Sequence, residues 1–381
     1  MNSSKRVALC VETTIKYIYP QVADLAELLA RRGFEVTVFC RHDPEAESWN
    51  QGRGFSYAGV RRPERLPGKL WNPFFIAHVL PQLPAFAGVV TFTSPTLPLA
   101  LAADRMLRIR ALHVALELHV PGDPSGTGYA RFQHGLRHAA RVRVFTTGAQ
   151  RSRLLAKAYG LRSVPGEFLN ASLAKTRVRP VYQGPTIAEQ VRRLSGQEKP
   201  IIVLCNGGLD DLNMLDRIVG AQVPAASGVA VALIGPCGPA WRERLAAAHA
   251  LTGNYHYLGE LPGTRYDVIR AAAGVDAGFA LKRADKSLPA NDRLYTPNKL
   301  FDLLAAGAAP IVSRQSSLRF VSRERFGICL DDLTIEGLRR FLLSLPGQRG
   351  ALSAMRARGQ ALFAARYNLE RTASEVVEAL Q

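Results

Sequence analysis

The strongest constraint on this chain is an alternation of short apolar runs with helix-periodic segments, which occurs twice over. Residues 6–11 form a short apolar run. Residues 21–32 then place Val22, Leu25, Leu28 and Leu29 at helical spacing, and Gly33 supplies a stop before a second run at 35–40. A strand, a helix and a strand within so few residues predict a parallel crossover unit. The pattern continues with strands at 88–93, 112–118 and 141–146 and helices at 96–107, 129–139 and 150–159. A polar stretch at 174–200, carrying Pro180, Pro185 and Pro200 and one modest helix, interrupts it. A second series follows, with strands at 201–205, 229–234, 255–257, 277–281 and 310–313 and helices between them at 212–220, 241–251, 266–273 and 297–306. The tail, 352–381, reads as helical with a break near Tyr367 and Asn368. The expected fold class is α/β, with two doubly wound, Rossmann-like domains whose ligands bind outside the carboxyl ends of the strands. The expected division is 1–178, a linker at 179–199, 200–365, and a final helix at 366–381.

Composition narrows the function classes. With 47% hydrophobic and 21% charged residues, the chain is neither disordered nor collagenous nor a disulfide scaffold. Cys10, Cys40, Cys205, Cys237 and Cys329 lie far apart, with no C-x-x-C and no Cys/His pair at zinc-ligand spacing. They read as buried free thiols in a reducing compartment. The polar start, running directly into a strand, predicts no signal peptide. Residues 74–103 lack charge, but Pro81, Pro84, Pro95 and Pro98 interrupt them, which argues against a spanning helix. The net charge of +18 is lopsided: residues 1–180 hold 25 Lys and Arg against 12 Asp and Glu, and residues 181–381 hold 24 against 19. Such a field attracts phosphates or anionic lipid. No nucleic-acid module accompanies it, so no nucleic-acid partner is expected.

The most informative segment is L-Y-T-P-N-K-L-F-D-L-L-A-A-G-A-A-P-I-V-S at 294–313. Thr296 is a plausible N-cap and Pro297 a preferred first helical residue. Lys299 then falls in the first turn, where free N–H groups and the helix dipole favour an anion. A bound phosphate would resolve that conflict, and Asp302, on the same face, could accept hydrogen bonds from ribose or sugar hydroxyls. On physics alone, a packed helix with one solvated Lys–Asp pair is an equally open reading.

The segment 297–312 resembles the donor-binding helix of GT-B glycosyltransferases, above all the large retaining (family 4-like) group that includes bacterial polysaccharide and lipopolysaccharide transferases. Y-H-Y-L-G-E-L-P at 255–262, the strand end at 231–235 and T-S-P-T-L-P at 93–98 extend the resemblance along the chain. It implies a GT-B architecture, with two domains facing across a cleft and the last helix crossing back to the first. It also implies that Lys299 contacts a donor diphosphate and that Asp302 stands where the family binds the ribose. Thr296, Pro297, Asn298 and Leu300 complete that helix start. Gly259, Glu260 and Leu261 would border the base, with Gly235 at the neighbouring strand end. Gly207 and Gly208 would let the backbone approach the diphosphate, although an ordinary tight turn explains that pair equally well. Leu294 replaces a frequent Glu, so that sugar contact would be missing or fall to Asp292 or Asn291. Asp210, Asp211 and Asn213 occupy the place of the usual cations after the glycine loop, which leaves Lys282, Arg283, Lys286 and Arg293 for the phosphate.

Candidate catalytic groups end a strand of the first domain: Glu117, His119 and Asp123. Each could approach an acceptor hydroxyl as a general base, and a structural role for His119 is an equal alternative. Lys16 and Tyr17 are the acceptor-binding candidates. Arg61, Arg62, Arg65 and Lys69, beside Trp71, Phe74 and Phe75, suit a membrane interface. The expectation is a metal-independent transferase without a cofactor, peripheral at the inner face of the cytoplasmic membrane. It would move a sugar, most readily from a UDP-sugar, to a glycan or polyprenyl-diphosphate-linked acceptor. A GT-B-fold nucleotide-sugar epimerase and a non-catalytic assembly protein are the alternatives.

Overall fold

The computed structural model describes residues 5–15, 19–121, 133–138, 141–283 and 288–381. The chain divides into two compact units. The first comprises Met1–Arg179, Pro289–Thr296 and Tyr367–Gln381; the second comprises Pro180–Leu288 and Pro297–Arg366. The segment Pro289–Thr296, which the sequence reading leaves inside the second domain, thus groups with the first. The tail from Tyr367 also groups with the first.

The first unit is built on a seven-stranded sheet: β1 (Arg6–Cys10), β2 (Glu35–Arg41), β3 (Ser56–Val60), β4 (Gly88–Thr91), β5 (Arg110–Ala115), β6 (Arg143–Thr146) and β7 (Gly166–Glu167). Its order is β3-β2-β1-β4-β5-β6-β7, and every pairing is parallel. The order reverses between β1 and β4, so the carboxyl ends of those two strands flank a switch point. The short edge strands β3 and β7 escape the sequence reading, because neither contains an apolar run. The helix expected at 96–107 is an α-helix only over Leu97–Ala102 and continues as a π-helical turn over Ala103–Leu107. Strand β5 ends at Ala115 rather than running on to 118. That early end puts Glu117 in the loop beyond the strand's carboxyl end.

The second unit holds β8 (Ile201–Asn206), β9 (Val229–Ile234), β10 (Tyr255–Tyr257), β11 (Ala277–Ala280), β12 (Ala309–Ser313) and β13 (Ile328–Leu330), ordered β10-β9-β8-β11-β12-β13 and again all parallel. Strands β8, β9, β11 and β12 are buried along their whole length, as expected where helices cover both faces of a parallel sheet. The switch point here lies between β8 and β11. The helix Asn298–Ala306 packs on this sheet through Leu300, Phe301, Leu303 and Leu304. It lies so close to β11 that a Cβ on Gly278 would sit 2.2 Å from a Leu303 methyl. That contact fixes the height of the helix's first turn, and therefore of Lys299, above the sheet.

No described helix is long and apolar enough to cross a membrane. Trp71 and Phe75 are core residues, with the Trp71 indole donating to the Glu12 carbonyl at 2.6 Å, so the apolar part of that segment points inward. Arg61, Arg62 and Arg65 stay exposed. All five cysteines are free of disulfides. Cys10, Cys40 and Cys205 are buried, which pushes their thiols up.

Candidate functional site

In the second unit, the carboxyl ends of three adjacent strands are bare backbone. Gly207 follows β8, Gly235 follows β9 and Gly259 lies beyond β10, all with positive φ. Their peptides are laced together: Gly207 donates to the Ile234 carbonyl at 3.1 Å, and Gly235 to the Gly259 carbonyl at 2.9 Å. A Cβ at Gly235 would lie 2.1 Å from the Gly207 carbonyl oxygen, so no side chain fits. Gly235→Ala is expected to destabilise the second unit by about 2–4 kcal/mol in denaturant unfolding. A change within 0.5 kcal/mol, the range of an ordinary surface substitution, would contradict that packing. At Gly207, by contrast, a Cβ would meet nothing within 4 Å. The loop surface is open there.

Lys299 projects to this loop. Its Nζ donates to Asn213 Oδ1 at 2.8 Å. Asn213 Nδ2 donates in turn to Asp210 Oδ1 at 2.8 Å and to the Gly208 carbonyl at 3.0 Å. Desolvation lowers the Lys299 pKa, Cys205 and Asp210 act against that, and Lys282 adds to it. The backbone of Lys282 is tied to β12 by two hydrogen bonds with the Ser313 hydroxyl, at 3.0 and 2.6 Å. A half-buried ammonium beside a second cation and an exposed glycine backbone is an arrangement completed by a small anion.

The helix start differs from the sequence reading. Pro297, not Thr296, is the N-cap, and it makes no side-chain capping bond. Thr296 is buried outside the helix, its carbonyl accepting from Asn170 Nδ2 at 2.9 Å, and groups with the first unit, because the extended backbone of Pro297 starts the helix one residue later. Lys299 and Asp302 do not form the solvated pair of the alternative reading: the Asp302 carboxylate accepts from Arg265, with Nε at 3.0 Å. Arg265 has no apolar-periodic or motif signal and is missed by sequence reasoning. Leu300 is core, and its N–H goes to the Pro297 carbonyl. Asn298 and Leu261 are half-buried, and Glu260 is exposed.

In the first unit, Glu117 and His119 meet. His119 Nε2 lies 3.2 Å from Glu117 Oε2, and the Tyr19 hydroxyl donates to Glu117 Oε1 at 2.5 Å. These two partners hold the Glu117 carboxyl below the usual carboxylate range, against desolvation. The surrounding backbone is pinned. The Tyr159 hydroxyl donates to the His119 carbonyl at 2.6 Å, Gln133 bridges Ser94 and the Glu117 carbonyl, and Asn291 Oδ1 accepts from the Leu118 N–H at 2.9 Å. Asn291 thus serves the first unit. At the switch point itself, Glu12, just beyond β1, accepts from the Thr93 hydroxyl beyond β4. Burial raises its pKa, the Thr93 bond opposes this, and the Glu117 charge adds a smaller push upward. Two neighbouring carboxyls are therefore driven in opposite directions, a pattern that separates acid from base. Sequence reasoning passed over Glu12 and Tyr19; the signal available for Glu12 was its place directly after the first strand. Lys16, Tyr17, Asp123 and Lys286 lie outside the described residues, as does most of the helix expected at 129–139. Among the described residues, no three His, Cys, Asp or Glu side chains gather as a metal site.

No family model and no curated protein sequence matches the chain. Solved structures do. HepE of Anabaena, crystallised with UDP-glucose, is 13% identical with a TM-score of 0.71, over 98% of this chain and 99% of that one. WaaG, a glycosyltransferase involved in lipopolysaccharide biosynthesis, is 16% identical with a TM-score of 0.67, over 97% and 99%. Sucrose-phosphate synthase of Thermosynechococcus elongatus is 15% identical with a TM-score of 0.70, over 98% and 97%. The chain shares the GT-B fold of these structures along nearly its whole length, as the resemblance in its sequence implied.

Proposed function

We propose that a chain with this fold, carrying these two sets of residues, is a glycosyltransferase that uses a UDP-sugar. The observation that supports it most is Lys299 beside the open Gly207–Gly208 backbone at the switch point of the second sheet. In this reading, those groups and Lys282 hold the donor diphosphate. The Gly235–Gly259 edge borders the base, with Glu260 and Leu261. Asp302, oriented by Arg265, offers a lone pair to the ribose. UDP is chosen because HepE, of the same fold, has been crystallised with UDP and with UDP-glucose.

The first unit takes the acceptor, a glycan or a lipid-linked sugar, with Lys16, Tyr17 and Asp123, which lie outside the described residues, kept as candidates from the sequence. His119 removes the proton from that hydroxyl, and Glu117 fixes its tautomer and stabilises the imidazolium. The acceptor oxygen bonds to the anomeric carbon as the bond from that carbon to the β-phosphate oxygen breaks. UDP leaves with its new negative charge facing Lys299 and the loop N–H groups. The basic first unit rests against anionic lipid through Arg61, Arg62 and Arg65, which brings a lipid-linked acceptor within reach.

A thermal-shift screen with UDP, GDP, ADP, TDP and CMP tests the donor half. UDP is expected to raise Tm as RT ln(1 + [L]/Kd), by about 2.7 kcal/mol of added stability at one hundred times Kd. No shift with any of the five would sink the assignment and favour a non-catalytic relative. Release of free UDP with an epimerised sugar, and no transfer, would favour an epimerase.

A further inference from the structure

We propose that the first unit carries a second anion site, remote from Glu117 and His119, which binds a ligand bearing two or more phosphate groups. The site is a cavity of about 610 Å³ lined by Arg105, Arg137, Arg141, Arg143 and Arg162, with Glu375 as the one carboxylate in its wall. It lies at the amino-terminal ends of β6 and β7: Arg141 and Arg143 lead into β6, and Gly166 opens β7. Glu117 and His119 follow the carboxyl end of β5, which runs parallel to β6. The two sites therefore occupy opposite edges of one sheet.

Charge argues for a ligand. The guanidiniums of Arg137, Arg141, Arg143 and Arg162 repel one another around the cavity, and among the described lining residues Glu375 alone does not balance them. Among the described residues, Arg141, Arg143 and Arg162 form no ion pair, and all three are exposed. Arg137 gives its Nε to the Tyr159 carbonyl at 3.1 Å, at the end of the helix Ala149–Tyr159, which orients its terminal nitrogens without neutralising them. The walls include Leu136 and Phe145, both buried, so a ligand there meets a partly desolvated field in which charge-assisted bonds strengthen. Guanidinium forks match phosphate oxygens two at a time. Several forks around one chamber fit a diphosphate or a doubly phosphorylated group better than a lone monoanion. The volume falls within the range of small-molecule sites. The same chemistry arises from a soluble phosphorylated molecule or from the headgroup of a phospholipid.

The test titrates the full chain with inorganic pyrophosphate by calorimetry, with UDP at saturation. It compares wild type, Arg141→Gln/Arg143→Gln and a charge-matched control, Arg192→Gln/Arg193→Gln, whose arginines are exposed on the helix Ile187–Ser195. A parallel titration of Lys299→Ala marks any pyrophosphate bound at the second unit's switch point. Failure of the donor site is then not mistaken for failure of this one. Wild type and control are expected to bind alike and the Arg141/Arg143 variant at least about tenfold more weakly, with its UDP shift unchanged. In a second arm, the same proteins are sedimented with cardiolipin vesicles, whose headgroup carries two phosphates, or with phosphatidylcholine vesicles. Loss of pyrophosphate binding in the variant with no cardiolipin binding by wild type identifies a soluble source. Loss of both pyrophosphate binding and cardiolipin sedimentation in the variant identifies a headgroup. Binding of neither probe, or an equal loss in the Arg141/Arg143 variant and the control, overturns the proposal in favour of diffuse surface charge.

Discussion

Lys299→Ala is expected to abolish the UDP-dependent rise in Tm while leaving the unliganded protein at least as stable as wild type. The two halves have one cause. Desolvation lowers the Lys299 pKa in the folded protein, and Lys282 adds to that. The folded state therefore binds this proton less tightly than the unfolded state, so the charged lysine costs stability at neutral pH. The cost disappears only as pH rises through the folded and then the unfolded value. Its local return is a hydrogen bond to the uncharged Asn213 amide and the attraction of Asp210, which do not offset the desolvation. Against a diphosphate, the same ammonium makes charge-assisted bonds, and their loss weakens donor affinity by about tenfold to a hundredfold. Transfer loses more than binding does, because negative charge grows on the leaving phosphate in the transition state. We expect kcat/KM to fall by about 10² to 10³. Calorimetric unfolding with and without UDP separates the two quantities. A variant that lost several degrees of apo Tm and still bound UDP normally would make Lys299 a structural lysine.

Replacing Glu117 by Gln, or His119 by Ala, is expected to lower turnover by about 10² to 10⁴ with the UDP shift intact. Both residues belong to the first unit, whereas Lys299 and its loop belong to the second. A Glu117 amide keeps an acceptor for the Tyr19 hydroxyl but cannot stabilise an imidazolium at 3.2 Å. The pH profile distinguishes chemistry from support. The Glu117 carboxyl titrates below its ordinary range, so it stays a carboxylate as pH falls until that lowered value is crossed. Its contribution to stability is likewise present above the unfolded value and lost as pH falls through the folded one. Burial raises the Glu12 carboxyl, so it is already uncharged when the lowered Glu117 titrates, and Glu12→Gln should leave the acid limb of kcat/KM in place. An acid limb that moved in Glu12→Gln would show that Glu12 is charged beside Glu117 in the reaction.

Both switch points are places where function follows from strand order, and strand order is the level at which the sequence could be read only in part. The central strands β1, β4, β8, β9 and β11 announce themselves because a parallel strand covered on both faces must be apolar throughout. The edge strands β3 and β7 do not, since an edge needs backbone partners on one side only and tolerates Gly, Ser and Glu, and β13, though apolar, is only three residues long. Lys299 and the glycine loop were legible as chemistry, because a cation in a helix's first turn contradicts the dipole and asks for an explanation. The partner of Asp302 was not. Arg265 lies 37 positions away, and nothing in its neighbourhood marks it.

Fold class, the two strand–helix series and the helix that carries Lys299 can all be read from the residues in order. Each of these rests on local periodicity, a terminal residue or an apolar run. Long-range packing sets the partners: Lys299 meets Asn213, Asp302 meets Arg265, and Glu12 stands at the first switch point with Thr93. The same packing groups Pro289–Thr296 with the first unit and brings five arginines around one cavity. The physical reason is the range of the interactions. Helix and strand formation are settled among residues a few positions apart, whereas hydrogen bonds and charge pairs depend on which distant segments the sheets bring together.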